Sequence, residues 1–411
     1  MNIYLLVFVL AAAFSVVSTI FYLVNSLRSF FFRDETINND FTKEDVTIVV
    51  PVYKEKESVF REVLQAISLQ GTSFIVVGDG NDQPYRAITE EYGGRFILNE
   101  VRGGKRKCLA IAMKSVFSPL VMFVDSDTII PPDATEKLVS KFKSDVGGVG
   151  ANLSLVIDDS PISYGAEFVE RSREVVFKAM SKSGNVMILD GGCAVYRTSI
   201  VKPFILSDEF INHTVFGRKS LTGDDRQLTS HVIKSNFRAV KNYDVRVRTY
   251  AQSTYKSYIR QQVRWSRAGW YYFFHDLKSG TASKAGSFYT FELIYMYMLP
   301  IVFLSLGLAQ FFIYTHIFFR ILLFHPHSIE VSFMLFIAFF THNIKHRLIR
   351  FVSTFLNIGG ISVFGVAVSR NVQIKKKLKV FAYGAVSLFI MFITFFYGLF
   401  TIWKQSDWIT R

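Results

Sequence analysis

The sequence predicts an α/β domain with a mostly parallel sheet, inserted between transmembrane α-helices and accompanied by amphipathic interfacial helices. Three observations predict it. Long apolar runs lie toward the two ends of the chain, whereas residues 34–284 carry frequent charges and only short apolar runs. Within that middle, strand-like runs alternate with segments of helical spacing, the pattern of a sheet covered on both faces. Polar clusters then fall at the carboxyl ends of the strands, where such sheets bind ligands.

The first apolar segment, residues 1–24, exceeds the ~20 residues that a span needs. Its charges, Arg28 and Arg33, come after the apolar run rather than before it. That order predicts an uncleaved anchor over residues 1–33 with its following flank in the cytosol. In the middle, Thr47-Ile48-Val49-Val50-Pro51-Val52 reads as a buried strand, and Val59, Val63, Leu64 and Ile67 follow at helical spacing. Phe74-Ile75-Val76-Val77 is a second strand, Phe96-Ile97-Leu98 a third and Leu120-Val121-Met122-Phe123-Val124 a fourth. Helices are expected over about 84–92, 105–116 and 134–143. Residues 34–250 therefore form the expected catalytic domain, and residues 251–286 an amphipathic segment dense in aromatic and basic residues.

Residues 287–411 turn apolar again, with blocks at 288–324, 329–340, 351–369 and 380–403. Several reach spanning length with basic flanks, so a multi-pass membrane region is expected. The block 288–324 is either one long helix or a hairpin. The basic stretches 345–350 and 370–379 both point to the cytosol. Either the block between them re-enters or lies at the interface, or one basic stretch breaks the rule.

Composition narrows the partners. Half of the 411 residues are apolar, too many for a disordered chain, and 25 Gly with 9 Pro exclude a collagen-like one. Two cysteines, Cys108 and Cys193, exclude a disulfide scaffold and suit a reducing compartment. A net charge of +14 fits nucleic acid, anionic lipid or phosphorylated small molecules. The membrane segments and acidic strand ends select the lipid bilayer and a phosphorylated substrate, with no nucleic acid. Neither a dinucleotide fingerprint nor a P-loop is present, and no Cys/His spacing suits zinc.

Four constellations carry chemistry. Asp125-Ser126-Asp127 ends the fourth strand, and two carboxylates there suit Mg²⁺ or Mn²⁺, which keep open positions for phosphate oxygens. A solvated turn is the plainer reading of the same residues. Gly103-Gly104-Lys105-Arg106-Lys107 opens a helix and reads as an anion site or as a solvated basic face. Thr222-Gly223-Asp224-Asp225-Arg226 offers a general base, with Asp224 and Arg226 tuning Asp225, on what is equally a favourable helix N-terminus. Gln261-Gln262-Val263-Arg264-Trp265 places a guanidinium for phosphate beside an indole for a sugar ring; the indole is alternatively an interfacial anchor.

Val124-Asp125-Ser126-Asp127-Thr128, Gly223-Asp224-Asp225-Arg226 and Gln261-x-x-Arg264-Trp265, in this order between membrane segments, resemble the processive family 2 glycosyltransferases, most closely the hyaluronan synthases. The closing Asp407-Trp408-Ile409-Thr410-Arg411 is similar to a W-G-T-R ending of that family. The resemblance implies a GT-A catalytic domain on the cytosolic side of the cell membrane, UDP-sugar donors, a growing polysaccharide and Mg²⁺ or Mn²⁺. By the same matching, Asp79, Lys105 and Arg106 meet the nucleotide, Asp125 supports it and Asp127 holds the metal. Asp225 is the general base, Arg264 binds diphosphate, and Trp265 stacks on the acceptor beside Gln261. Gly191 and Cys193 lie where hyaluronan synthases carry a Ser-Gly-Pro turn at the acceptor site. Glu292, His342 and Asn343 either line an export channel or serve helix–helix hydrogen bonding or a place near the interface. Gly78 stands where relatives have a second acid, and Gly192 where they have proline; these departures bear on the sugar more than on the reaction. A chitin-like synthase using UDP-GlcNAc alone, a non-processive polyprenyl-phosphate glycosyltransferase and a transporter with a nucleotide-binding domain are the rival readings.

Overall fold

The computed structural model describes residues 3–33, 38, 40–324, 330, 331, 333–335 and 344–405. Most of the block 329–340, together with His342, Asn343 and 407–411, lies outside the described residues. In chain order the elements are α1 (Ile3–Phe30), β1 (Val46–Val52), α2 (Glu57–Ser68), β2 (Ser73–Asp79), α3 (Tyr85–Glu91), β3 (Arg95–Asn99), α4 (Lys105–Met113) and β4 (Leu120–Val124). Next come β5 (Thr128–Ile129), α5 (Ala134–Val139), β6 (Val146–Val156), α6 (Pro161–Ser181), β7 (Cys193–Arg197), α7 (Thr198–Ile205) and α8 (Asp208–Ile211). A hairpin of β8 (Thr214–Val215) and β9 (Arg218–Lys219) precedes α9 (Asp224–Lys234), β10 (Arg238–Tyr250), α10 (Tyr255–Lys278) and α11 (Thr281–Ala285). The chain continues through α12 (Ser287–Phe324), α13 (Ile344–Ser369) and α14 (Lys377–Leu399).

Two compact units result, one of Phe32–Leu293 with Asn371–Arg411 and the other of Met1–Phe31 with Ile294–Arg370. The first is built on an eight-stranded sheet in the order β3-β2-β1-β4-β7-β6-β10-β5. β1 pairs in parallel with β2 on one side and β4 on the other. Strand order therefore reverses between β1 and β4, which opens a crevice at their carboxyl ends. Apolar residues run through β1 and β4 without alternation because helices cover both faces of these strands. On α2, Val63, Leu64 and Ile67 are buried as the sequence spacing predicts, but Phe60 takes the core position expected of Val59, which is only half-buried. Each such burial stabilises the fold by roughly 1.5–3 kcal/mol.

Antiparallel β7 lies between β4 and β6, with Cys193 opposite Val124. Because β7 runs against β4, the turn leading into it arrives at the carboxyl end of β4. This arrangement, invisible in local periodicity, brings residues 189–192 to Asp125.

α14 belongs to the sheet-bearing unit. Gly384 lies flat against the Phe168 ring of α6, and Ser266 Oγ and Trp270 Nε1 of α10 both donate to Phe395 O. In the other unit, α1 meets α12 through Tyr295, which stacks on Phe21 and donates to Ser18 Oγ at 2.8 Å. It meets α13 through Asn357 Nδ2, which donates to Ser15 Oγ at 2.9 Å. Among the described residues, Leu6–Phe30, Ser287–Phe324, Phe351–Ser369 and Ile374–Leu399 are long and apolar enough to cross a membrane. The block 288–324, open between one helix and a hairpin on sequence, is a single helix despite Pro300.

Candidate active site

The crevice gathers acids from two separate segments around one lysine. Lys105 Nζ, on the first residue of α4, lies 2.6 Å from Asp125 Oδ1 beyond β4 and 3.2 Å from Asp224 Oδ2 at the start of α9. Burial works against the ammonium, but Asp125, Asp224 and Asp225 outweigh it and hold Lys105 protonated above its ordinary range. Asp225 Oδ1 accepts from Arg226 N at 2.7 Å, and its Oδ2 accepts from Gly191 N at 3.3 Å.

Gly191 is packed among these charges. A Cβ there would lie 2.9 Å from Lys105 Nζ and 3.5 Å from carboxylate oxygens of both Asp125 and Asp225. A side chain there would displace the Lys105 ammonium, while the two carboxylate oxygens lie at van der Waals distance. At Gly78 the reason for glycine is equally local: a Cβ would meet Asn81 O at 2.4 Å and the Phe96 ring at 2.6 Å. A second acid beside Asp79 has no room.

The adjacent carboxylates of α9 are driven in opposite directions. Burial raises Asp225, and the charge of Asp224 adds to this against the pull of Lys105, leaving it at about 6. Burial also opposes Asp224, but Lys105 and Arg106 overcome it and hold that carboxyl below its usual range. Two neighbouring acids with separated pKa values are the arrangement that assigns a base and a counter-ion. Asp125 is raised by burial despite Lys105, with Asp127 adding to the rise.

Asp125 and Asp127 are half-buried at the rim, with Ser126 between them donating to Glu55 Oε2 at 3.3 Å. Among the described residues no group of three or more metal-ligating side chains occurs. Two carboxylates at an open rim fit a hard cation whose remaining positions are filled by phosphate oxygens and water. The donor set therefore suits Mg²⁺ or Mn²⁺.

Other residues expected at the site turn elsewhere. The Arg226 guanidinium donates to Asp276 Oδ2 at 2.9 Å, while its main-chain N–H donates to Asp225 Oδ1 and pulls that carboxyl down. Asp276 is fully buried and also accepts from Ser230 and Tyr289. Arg106 is buried, bonded to Gln227 and to Thr222 O, and braces α4 against the loop before α9. Asp79 is buried too, accepting from Asn99, Gly103 N and Gly104 N. The anion that meets those glycine amides is thus the chain's own carboxylate, which fixes the loop presenting Lys105.

Cys193 is displaced by strand alternation. It and Val195 enter the core, where its Sγ lies 3.7 Å from Met122 Sδ, and burial pushes its thiol up to about 12. Ala194 and Tyr196, on the opposite face of β7, line a small cavity with Lys105, Phe123, Asp224 and Asp225. Tyr196 went unread in the sequence, although the period of two starting at Cys193 would have exposed it. On α10, Gln261 and Arg264 are half-buried, and the Trp265 indole is 44% exposed, open to a stacking partner. The same helix fastens to the end of α14 through Arg267, which donates to Thr401 Oγ1 and Lys404 O. Glu292 is fully buried on α12.

Comparison with known proteins gives this geometry a context. The family model described as glycosyltransferase like family 2 matches residues 44–268. An N-acetylglucosaminyltransferase of Azorhizobium caulinodans is 32% identical over 238 residues, covering 54% of this chain and 59% of that protein. A hyaluronan synthase of Streptococcus pyogenes is 27% identical over 279 residues, covering 62% of this chain and 64% of that one. The match thus spans about three fifths of the length of these two relatives. The solved mannosyltransferase of Pyrobaculum calidifontis, in complex with GDP-Man and Mn²⁺, superposes with a TM-score of 0.54 at 15% identity. That superposition covers 90% of this chain and 99% of that one, a likeness of GT-A fold.

Proposed function

This chain belongs to glycosyltransferase-like family 2, and from that premise we propose that it is a membrane-embedded, processive, inverting glycosyltransferase that polymerises sugars from UDP-sugar donors. The observation that carries the reading is the Asp224–Asp225 pair, divided into a lowered and a raised carboxyl beside Lys105. Asp225, at about 6, is mostly ionised at neutrality yet more basic than an ordinary carboxylate, and so combines availability with basicity.

On this reading the acceptor hydroxyl gives its proton to Asp225 as its oxygen attacks the anomeric carbon. The bond from that carbon to the UDP oxygen breaks, its electron pair leaves with the diphosphate, and the configuration inverts. Asp125 and Asp127 would hold Mg²⁺ or Mn²⁺, which when bound neutralises charge on the diphosphate. Lys105 holds Asp125 and Asp224 in place and adds positive charge on the donor side. Arg264 binds diphosphate, and Trp265 offers its exposed face to the acceptor sugar.

Four candidate spans support a multi-pass protein of the cell membrane, with the catalytic unit cytosolic and the polymer exported through the helices. The fastening of α6 and α10 to α14 supports a catalytic unit tethered to the bilayer. Hyaluronan, made from UDP-GlcNAc and UDP-glucuronate, is the first product reading. The N-acetylglucosaminyltransferase relative keeps a second in play, a chitin-like polymer from UDP-GlcNAc alone. Purified protein given each donor singly and then both, followed by specific glycosidase digestion, decides between them. Absence of UDP release under every combination would defeat the transferase reading itself.

A further inference from the structure

The turn formed by residues 189–192 connects the two acidic ends of the crevice through its backbone. At one end Gly192 O accepts from Asp125 N at 3.2 Å. At the other, Gly191 N donates to Asp225 Oδ2 at 3.3 Å. Leu189 N donates to Thr229 Oγ1 at 2.9 Å, and that hydroxyl in turn donates to Asp225 O at 2.8 Å. Three of these four links are made or accepted by main-chain atoms of the turn, so whatever holds the turn also sets the spacing between Asp125 and Asp225.

What holds it is an ion network entered through Asp190, buried except at the partly exposed Arg173. Its Oδ1 accepts from Arg173 Nη2 of α6 at 2.5 Å, and its Oδ2 pairs with Lys241 of β10. Arg173 is bound in turn by Glu170 at 2.8 and 2.9 Å. Both cations also lie over the ring of Phe177, at 5.2 and 5.1 Å from its centroid. Burial opposes the Asp190 carboxylate, yet Arg173 and Lys241 hold it down at about 2, so it stays charged. Two cations and two carboxylates balance, and the charge of Asp190 itself adds to the rise of the Asp225 carboxyl.

We propose that Asp190 is a positioning residue for glycosyl transfer, anchoring the 189–192 turn to α6 and β10 so that base and donor-side acid keep their working separation. The proposal rests on the transferase reading above. A displacement of the base of the order of 1 Å is enough to cost about 100-fold in rate.

The test is the rate of UDP release by the full chain in detergent, with donor KM and thermal stability measured beside it. Asp190→Asn should lower kcat by about 10- to 100-fold while donor KM moves little. It also strands the buried Lys241 ammonium, so folding can suffer. The double variant Asp190→Asn with Lys241→Met removes that cation together with its partner. It should regain thermal stability without regaining kcat, a split that a purely structural ion pair cannot produce. Wild-type kcat in a stably folded double variant overturns the positioning role and leaves the transferase reading intact. No UDP release by the unaltered chain overturns both.

Discussion

Two charged clusters grow from the same four-residue motif, and they differ in what closes them. Around Lys105, three carboxylates face one ammonium at a half-open crevice. Around Asp276, one fully buried carboxylate is saturated by Arg226, Ser230 and Tyr289. The first carries surplus charge held close to the rim, and its members have pKa values pushed apart. The second is neutral and satisfied, and it fastens α9 to α10. Charge left without an internal partner is what can act on a substrate; charge that is fully paired holds elements together.

Breaking the open cluster should have the largest effect. Asp225→Asn removes the proposed base and should lower turnover by about 100- to 10,000-fold, with donor binding retained. Calorimetric donor affinity beside a UDP-release assay checks both halves, and undiminished polymer synthesis would end the assignment. Breaking the closed cluster should instead act on folding. Asp276→Asn leaves the Arg226 guanidinium buried without its counter-charge and should destabilise the fold by about 3–5 kcal/mol. Thermal aggregation in detergent reads this, and turnover per folded molecule should persist. Lost turnover at full stability would erase the distinction between the two clusters.

Acidity separates them further. The proposed base must be ionised, and its carboxyl stands at about 6. The rate should therefore be flat above that pH and fall about tenfold per unit below it. An acid limb near 4, the ordinary carboxylate range, would show that burial and Asp224 do not raise this carboxyl during turnover. The smallest effect is expected at Cys193. Cys193→Ala trims a core contact with Met122 and should cost about 1 kcal/mol of stability, with donor and acceptor KM unchanged. A raised acceptor KM would return that side chain to the site.

These residues also mark how far the sequence could be read. Lys105, Asp125, Asp224 and Asp225 were legible because each occupies an element end: a helix start, a strand end, a second helix start. Local pattern locates element ends, and a parallel sheet brings them to one rim. Arg106, Asp79 and Arg226 have internal partners that the sequence did not reveal. They sit inside the same motifs, but their partners Gln227, Gly103 and Asp276 come from other segments, so motif membership did not reveal side-chain direction. Cys193 faces the core and the unread Tyr196 faces the crevice because the strand that carries them begins at Cys193, and alternation then decides which face each takes. Asp190 directly precedes Gly191, but nothing local signalled that Arg173 and Lys241 would converge on it.

By itself, then, the sequence determined the apolar ends and the charged middle, the alternation of strands with helices, and the polar clusters that terminate the strands. These follow from hydrophobic period and composition, which act over a few residues and hardly depend on the rest of the chain. Tertiary structure alone decided that β7 runs antiparallel beside β4 and delivers the 189–192 turn to Asp125. It decided equally that α14 joins the sheet-bearing unit, and which charges are paired off and which are left facing the crevice. The reason is that pairing energy depends on distance in space and on burial, and both are set by segments far apart in the chain.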